Sequence, residues 1–379
     1  MSSVVIAGYA RSPFHFAHKG ALTKVRPDDL AAIVVKGLIE QLGIDPTTIE
    51  DLILGNAMPE GEQGLNMARM VGLLAGLPQS VGGVTVNRFC GSSMQAIHDA
   101  AGQLSLSAGG AYIAAGVESM TRVPMSGFNP MPNPTLYAQN NGAYMGMGET
   151  AENVANQYQL TREDQEQLAV ESHAKAKAAQ DAGKLAEELV AIQTPDGSTI
   201  DVDGCIRPET SPDGLAGLKP AFAMDGSVTA GTSSPLTDGA AAVLVCTEEY
   251  AAKNDLAPFA RIKAVAVHGC DPKTMGLGPI GATRKALKRA GISIDDVDVI
   301  EINEAFSSQA LACMSDLSID RTKVNLDGGA LALGHPLGAT GARITGKAAS
   351  LLKREGGKYA LATQCIGGGQ GIATVLEAI

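Results

Sequence analysis

At 379 residues the chain is longer than one hydrophobic core usually serves, so two domains, or two similar halves with an insertion, are expected. A formal charge of −11 argues against a nucleic-acid duplex as partner, although a few local basic groups could still hold a small anion. Abundant Gly and Ala without tryptophan suit close helix–sheet packing in an α/β core and exclude collagen-like or disordered classes.

The six cysteines are spread along the chain with no C-x-x-C pair, which argues against a disulfide framework and a local zinc knuckle and leaves them as reduced thiols. Cys90, His335 and Cys365 have the right chemistry for zinc, but without a local ligand pair no metal is expected. Met1 to Gly8 lacks a basic stretch followed by a long apolar core, and no later segment approaches a spanning helix. The expectation is a cytoplasmic protein without a membrane span.

In chain order, the first legible frame is Gln41-Leu42-Gly43-Ile44 followed by Ile49 to Asn56: a helix end with its glycine, an acidic turn, a strand, and an Asn at the strand exit. Next, the strand-like Val84-Thr85-Val86-Asn87 gives way at Cys90 to a helix-patterned run whose Met94, Ile97 and Ala101 should face the core. A thiol at a helix start meets N–H groups with no intrahelical partner and the positive end of the dipole, and both favour thiolate. Cys90 therefore reads as a nucleophile; the competing reading is a buried structural cysteine. Another strand follows over Ala111 to Gly116.

Residues 124 to 148, rich in Pro, Asn, Gly and Met, show little periodicity and read as a long ordered excursion or lid. Thr161 is then the N-cap of a long helix with an acidic first turn, on which Leu168, Ser172 and Lys175 are expected along a charged, solvated exterior. Residues 119 to 236 as a whole are expected to be an insertion.

Gly276 to Gly281 spells G-x-G-x-x-G after the strand-like Ile262 to Val267, but Asp271 to Met275 intervenes and removes the tight turn a dinucleotide site needs. It is expected to be a lining loop, with Pro279 opening a helix. Arg289-Ala290-Gly291-Ile292 and Val297 to Asn303 then repeat the first frame. Asn303 could cap a helix or hold a water in a cleft.

The stretch from Gly328 to Gly341 surrounds His335 with glycines, so the backbone there must turn sharply or come close to something, and Pro336 suits the start of the next helix. The strand Tyr359 to Thr363 runs out at Gln364-Cys365-Ile366-Gly367, before a glycine-rich turn whose free N–H groups could hold an oxyanion. That turn lacks the Lys-Ser/Thr pair of a phosphate loop.

The repeat carries most of the information. Thirteen positions separate Gly43 from Asn56, and twelve separate Gly291 from Asn303. The next strand-to-helix corner follows 34 positions on at Cys90 and 32 positions on at His335. A duplicated α/β domain would set these corners near a pseudo-twofold axis, converging on one cleft.

Val86 to Ala96, Thr229 to Ser234, Asn303-Glu304-Ala305-Phe306, Gly334-His335-Pro336-Leu337-Gly338 and Cys365 to Gly371 resemble, in order, the signatures of the thiolase family. The form of the first block is most similar to the degradative 3-ketoacyl-CoA thiolases of bacterial fatty-acid oxidation. The resemblance implies a five-layered αβαβα fold of two similar halves with an inserted loop domain. Its boundaries would be 1–118 completed by 237–258, then 119–236, then 259–379.

It further implies Cys90 as the acyl-accepting nucleophile, His335 as its base and Cys365 as acid/base for the acetyl enolate. The enolate oxygen would be held by His335 and a water on Asn303, the other carbonyl oxygen by the N–H groups of Cys90 and Gly367. Coenzyme A, a co-substrate and not a permanent cofactor, would meet Arg207 and Phe222 near its adenine end and Ser234 near its pantetheine, with Met147 and Phe306 along the acyl end. A homodimer or a dimer of dimers is implied, and a hydratase–dehydrogenase subunit of an oxidation complex is a candidate partner.

Acetoacetyl-CoA formation by the same residues, and a silent acyl-CoA-binding relative, are the alternatives. A decarboxylating condensing enzyme would carry a second His where Cys365 stands. One departure from some relatives is Gly146, where they carry His; it bears on acyl-chain length and not on the reaction.

Overall fold

A computed structural model describes residues 3–379. The amino-terminal half runs β1 (Val4–Arg11), β2 (His15–Phe16), α1 (Pro27–Leu42), β3 (Asp51–Gly55), α2 (Met67–Leu74), β4 (Gly82–Val86), α3 (Ser92–Ser105) and β5 (Ala111–Ser119). After it come α4 (Pro134–Gln139), α5 (Met147–Gln157), α6 (Arg162–Asp181), a small hairpin of β6 (Ile192–Gln193) and β7 (Thr199–Ile200), and α7 (Pro212–Ala216). The chain then returns to the first half with β8 (Thr237–Thr247) and α8 (Glu248–Lys253). The carboxy-terminal half is β9 (Ala260–Gly269), α9 (Gly278–Ala290), β10 (Val299–Ile302), α10 (Ser307–Asp316), α11 (Ala330–Leu333), α12 (Leu337–Glu355), β11 (Tyr359–Ile366) and β12 (Gln370–Glu377).

The two halves repeat one strand pattern. In the first, the order is β1-β8-β5-β3-β4, antiparallel through β1, β8 and β5 and parallel from β5 through β3 to β4. In the second it is β9-β12-β11-β10, again antiparallel and then parallel, with a parallel bridge from Ile300 to Val324 where β4 stands in the first. A short pairing, Val5 with Arg261 and Ile6 with Ala260, joins the halves into one ladder. The helix-ending glycines behave alike too: Gly43 has φ 62° and Gly291 φ 71°, left-handed positions that close α1 and α9.

Layering follows from which faces are apolar. One core lies between α1, α2 and the outer face of the first sheet, with Leu30, Val34, Leu38, Leu52 and Leu244. A second fills the middle, where α3 and α12 (Met94, Ile97, Ile344, Leu351) lie between the strands of the two halves. A third packs α9 and α10 on the far face of the second sheet. Helix, sheet, helix pair, sheet, helix is the five-layered α/β arrangement.

The middle layer is tight at the starts of its two helices. At Gly341, an added Cβ would sit 2.2 Å from the backbone nitrogen of Met94, so only glycine lets α12 approach α3.

Helix α6 is capped as expected: the Thr161 hydroxyl accepts from the Asp164 N–H and the Asp164 carboxylate accepts from the Thr161 N–H. Its expected solvated stripe is a correction. Leu168 and Ser172 are buried, and Lys175 is half-buried with its Nζ donating to the Val324 carbonyl. The cause is tertiary, because α6 lies across α10 and α11 and turns that face inward. Among the described residues no helix is long and apolar enough to cross a membrane.

Candidate active site

Four loop corners meet between the halves. Cys90 closes the turn between β4 and α3, two residues ahead of the helix, and Phe89 before it takes φ 44°. The sulfur packs with Ala17, Ala57, Met120 and Leu337 in an apolar nest. The backbone N–H groups of Gly367 and of Cys90 itself both face it as donors. Burial nevertheless outweighs them, pushing the thiol up to about 11. This corrects the expectation that the helix start would favour thiolate: desolvation is the larger effect, and a neighbouring base must take the proton.

His335 lies in the turn between α11 and α12. Gly334 before it has φ 99°, and a Cβ there would run into the Thr237 side chain, whose hydroxyl accepts the His335 N–H at 3.0 Å. Thr237 in turn donates its N–H to the Met120 sulfur, which packs with Cys90. The imidazole has Thr340 Oγ1 2.6 Å from Nδ1 and Asn303 Nδ2 3.4 Å from Nε2. Burial holds it neutral, its pKa lowered to about 3, with the Arg343 guanidinium adding to the shift. A neutral imidazole is the state that can receive a proton.

Asn303 follows β10 and is wholly buried, with its Oδ1 unpaired within the protein. Such an atom suits an ordered water. Cys365, next to last in β11, packs with Met147, Met275, Ala305 and Phe306. Burial raises its thiol well above the usual range, and charge on Cys90 would raise it further. Met275, just ahead of the glycine-rich segment, is the residue that reaches the site. Gly276 to Gly281 is not the lining loop expected but the end of a 3-10 turn and the first turn of α9, with Pro279 in that turn and the glycines packed on Gln309, Gln370 and His268. Gly367 stands between Met147 and Phe89; an added Cβ would be 3.3 Å from the Met147 sulfur.

Of the residues assigned to coenzyme A by resemblance, four cluster here. Met147 and Phe306 pack with Cys365, Phe222 meets Phe306 edge-on at 5.9 Å, and the Ser234 N–H donates to the Ala305 carbonyl. Arg207 has other neighbours: its guanidinium lies over Phe16 at 4.8 Å and its N–H donates to His173 Nδ1.

Sequence reasoning passed over Gln364, whose side-chain amide donates to the Cys90 carbonyl and so ties one thiol corner to the other. It also passed over Glu118, a buried carboxylate that accepts from the N–H groups of Ala57, Met58 and Gly338. Gln364 was detectable as the residue before Cys365; Glu118, two residues past the strand read from the sequence, carried no signal.

Residues 4–249 match the family Thiolase, N-terminal domain, and residues 256–378 match Thiolase, C-terminal domain. This chain belongs to the thiolase family. It is 46% identical over 389 residues to the 3-ketoacyl-CoA thiolase of Bacillus subtilis, with all of both chains covered. To the enzyme of that name from Vibrio vulnificus it is 46% identical over 387 residues, again with full coverage. A crystal structure of human mitochondrial 3-ketoacyl-CoA thiolase in complex with CoA superposes with a TM-score of 0.92 at 37% identity, covering 100% of this chain and 98% of that one. Like its family, this thiolase is an acyltransferase with coenzyme A as co-substrate.

Proposed function

We propose that this thiolase cleaves 3-ketoacyl-CoA with free coenzyme A, yielding acetyl-CoA and a shortened acyl-CoA, as a step in fatty-acid oxidation. The observation that carries the reading is the meeting, in one buried cleft, of two protonated thiols, a neutral imidazole and a pair of N–H groups aimed at the Cys90 sulfur. Cys90 attacks C3 while its proton passes to His335, and the C3 oxygen gathers negative charge against the Cys90 and Gly367 N–H groups. The C2–C3 bond then breaks with its electron pair moving to the thioester enolate. The oxygen of that enolate rests on His335 and a water on Asn303, and Cys365 gives its proton to C2. Incoming coenzyme A hands its thiol proton to the Cys365 thiolate and takes the acyl group, and Cys90 recovers its proton from His335.

A raised thiol pKa suits both sulfurs in these roles: one must arrive with a proton for the base to remove, the other with a proton to donate. Phe222, Ser234, Met147, Phe306 and Arg207 are the residues proposed to bind coenzyme A and the acyl chain, with Arg207 at the adenine end. Thiolysis measured with the purified chain across acyl lengths tests the substrate range. Cys90→Ser should lose at least about a hundredfold in kcat, and near-normal thiolysis by that variant would overturn the assignment.

The division into 1–118 with 237–258, 119–236, and 259–379 is supported by β8 pairing with both β1 and β5 across the inserted residues. A homodimer is supported by β4, an outermost strand with Val84 41% exposed and with Leu65, Met70 and Leu73 exposed nearby. Exposed Phe128, Met131, Leu136 and Tyr137 on the excursion offer a second face for a dimer of dimers or for a hydratase–dehydrogenase subunit. The family's reaction and the bacterial relatives support a cytoplasmic location.

A further inference from the structure

His335 has two ring nitrogens, and only one can be the base. Thr340 Oγ1 is 2.6 Å from Nδ1 and 3.1 Å from the Pro336 carbonyl oxygen, and both groups are buried. A carbonyl only accepts, so a hydroxyl that donates to Pro336 has a lone pair to offer Nδ1–H. On the other side of the ring, Asn303 presents its amide nitrogen to Nε2 at 3.4 Å. An amide N–H facing Nε2 needs a lone pair there. One arrangement satisfies all three contacts: proton on Nδ1, lone pair on Nε2. With the proton on Nε2, two donors would face each other in a buried site.

We infer that Thr340 is a positioning residue that holds the His335 proton on Nδ1 and so presents Nε2 as the proton acceptor for Cys90. The inference rests on the role given to His335 above and adds the element that selects the working nitrogen. Thr340 is suited to it by place: in the first turn of α12, its side chain reaches back toward the residue that precedes the helix. A valine would keep the shape of threonine and remove the acceptor; a serine would keep the acceptor and remove a methyl.

The test uses the full-length enzyme with its histidines labelled with the heavy nitrogen isotope, the His335 signals being assigned by their absence from His335→Gln. In the wild type the long-range nitrogen correlation spectrum should place the proton on Nδ1. Thr340→Val should lose that bias and lower kcat for acetoacetyl-CoA thiolysis by about ten- to a hundredfold, with KM changed less than about threefold. Thr340→Ser should keep the tautomer and stay within about twofold of wild type. A wild-type proton on Nε2 overturns the inference, as does a Thr340→Val enzyme with unchanged tautomer and kcat, or a serine variant as damaged as the valine one. If Thr340→Val does not fold, the wild-type spectrum decides alone. Should His335→Gln itself retain thiolysis, the role of His335 falls; should it lose thiolysis while Thr340→Val does not, only the present inference falls.

Discussion

The titrating groups of the cleft shape both its chemistry and its tolerance of acid. His335 and His98 are buried and neutral, each lowered from 6.5 to about 3, mainly by desolvation. In the unfolded chain both accept protons near the ordinary histidine value, so the unfolded state binds more protons as pH falls below it. The stability they confer is complete above pH 6.5 and is lost as pH drops toward 3, at up to about 1.4 kcal/mol per pH unit for each. Urea midpoints measured at about pH 7 and about pH 5 should show the decline. His98, whose Nε2 lies 2.8 Å from the Thr374 hydroxyl, is remote from the proposed chemistry. His98→Gln should make the decline shallower, and an unchanged acid slope would contradict this origin. At this scale the sequence was partly readable: glycines and a proline around His335, and small residues after Cys90, announced chemistry. It could not announce that burial would outweigh the helix start at Cys90, since that depends on Met120 and Leu337 arriving from distant segments.

Among the elements, α3 and α12 matter most because they start at the Cys90 and His335 corners. Their contact requires Gly341, so Gly341→Ala should push the helices apart, costing about 1–3 kcal/mol in a denaturant titration and depressing thiolysis more than stability alone accounts for. Thermal stability and kcat measured together separate the two effects; an alanine variant with wild-type values in both would mean the helices yield freely. The cap of α6 is a milder case. Thr161→Ala should cost about 1 kcal/mol without touching kcat. Helix limits, capping glycines and the repeated strand frame were legible because they are local or periodic. The buried face of α6 was not, because Leu168 and Ser172 stand among charged neighbours and only the docking onto α10 and α11 turns them inward.

For the whole molecule, a buried chain of charges ties the three segments together. Asp203 meets Arg11 at 2.7 Å, Arg11 meets Glu188 at 2.8 Å, Glu188 meets Lys347 at 2.8 Å, and Lys347 meets Asp327 at 2.8 Å. Arg11 belongs to β1, Glu188 and Asp203 to the inserted region, Lys347 to α12. Without Lys347, Glu188 keeps Arg11 and Asp327 keeps Arg354, each short of one charged hydrogen bond, so Lys347→Met should destabilise by about 2–3 kcal/mol, read from urea unfolding; a loss under about 1 kcal/mol would show that the network is not held dry. The sheet's free strands differ in the same directional way. Lys285 and Arg289 donate to the carbonyls of Val267 and Val265, in the part of β9 that β1 does not pair, whereas on β4 the Asn66 amide caps the Gly83 carbonyl and, among the described residues, no Lys or Arg donates to the strand. Val84→Lys should therefore weaken self-association, measured by light scattering against concentration, while the same change at Val265 would not.

The late return of β8 has a consequence for how the polypeptide leaves the ribosome. Between Ser119 and Thr237 the chain makes all of its inserted region, and until then β1 and β5 lack the strand that lies between them. At about 5–20 residues per second this interval lasts roughly 6–24 s. Throughout it a nascent amino-terminal half carries two unmated strand borders, the form most open to capture by chaperones or to mispairing with a neighbouring nascent copy.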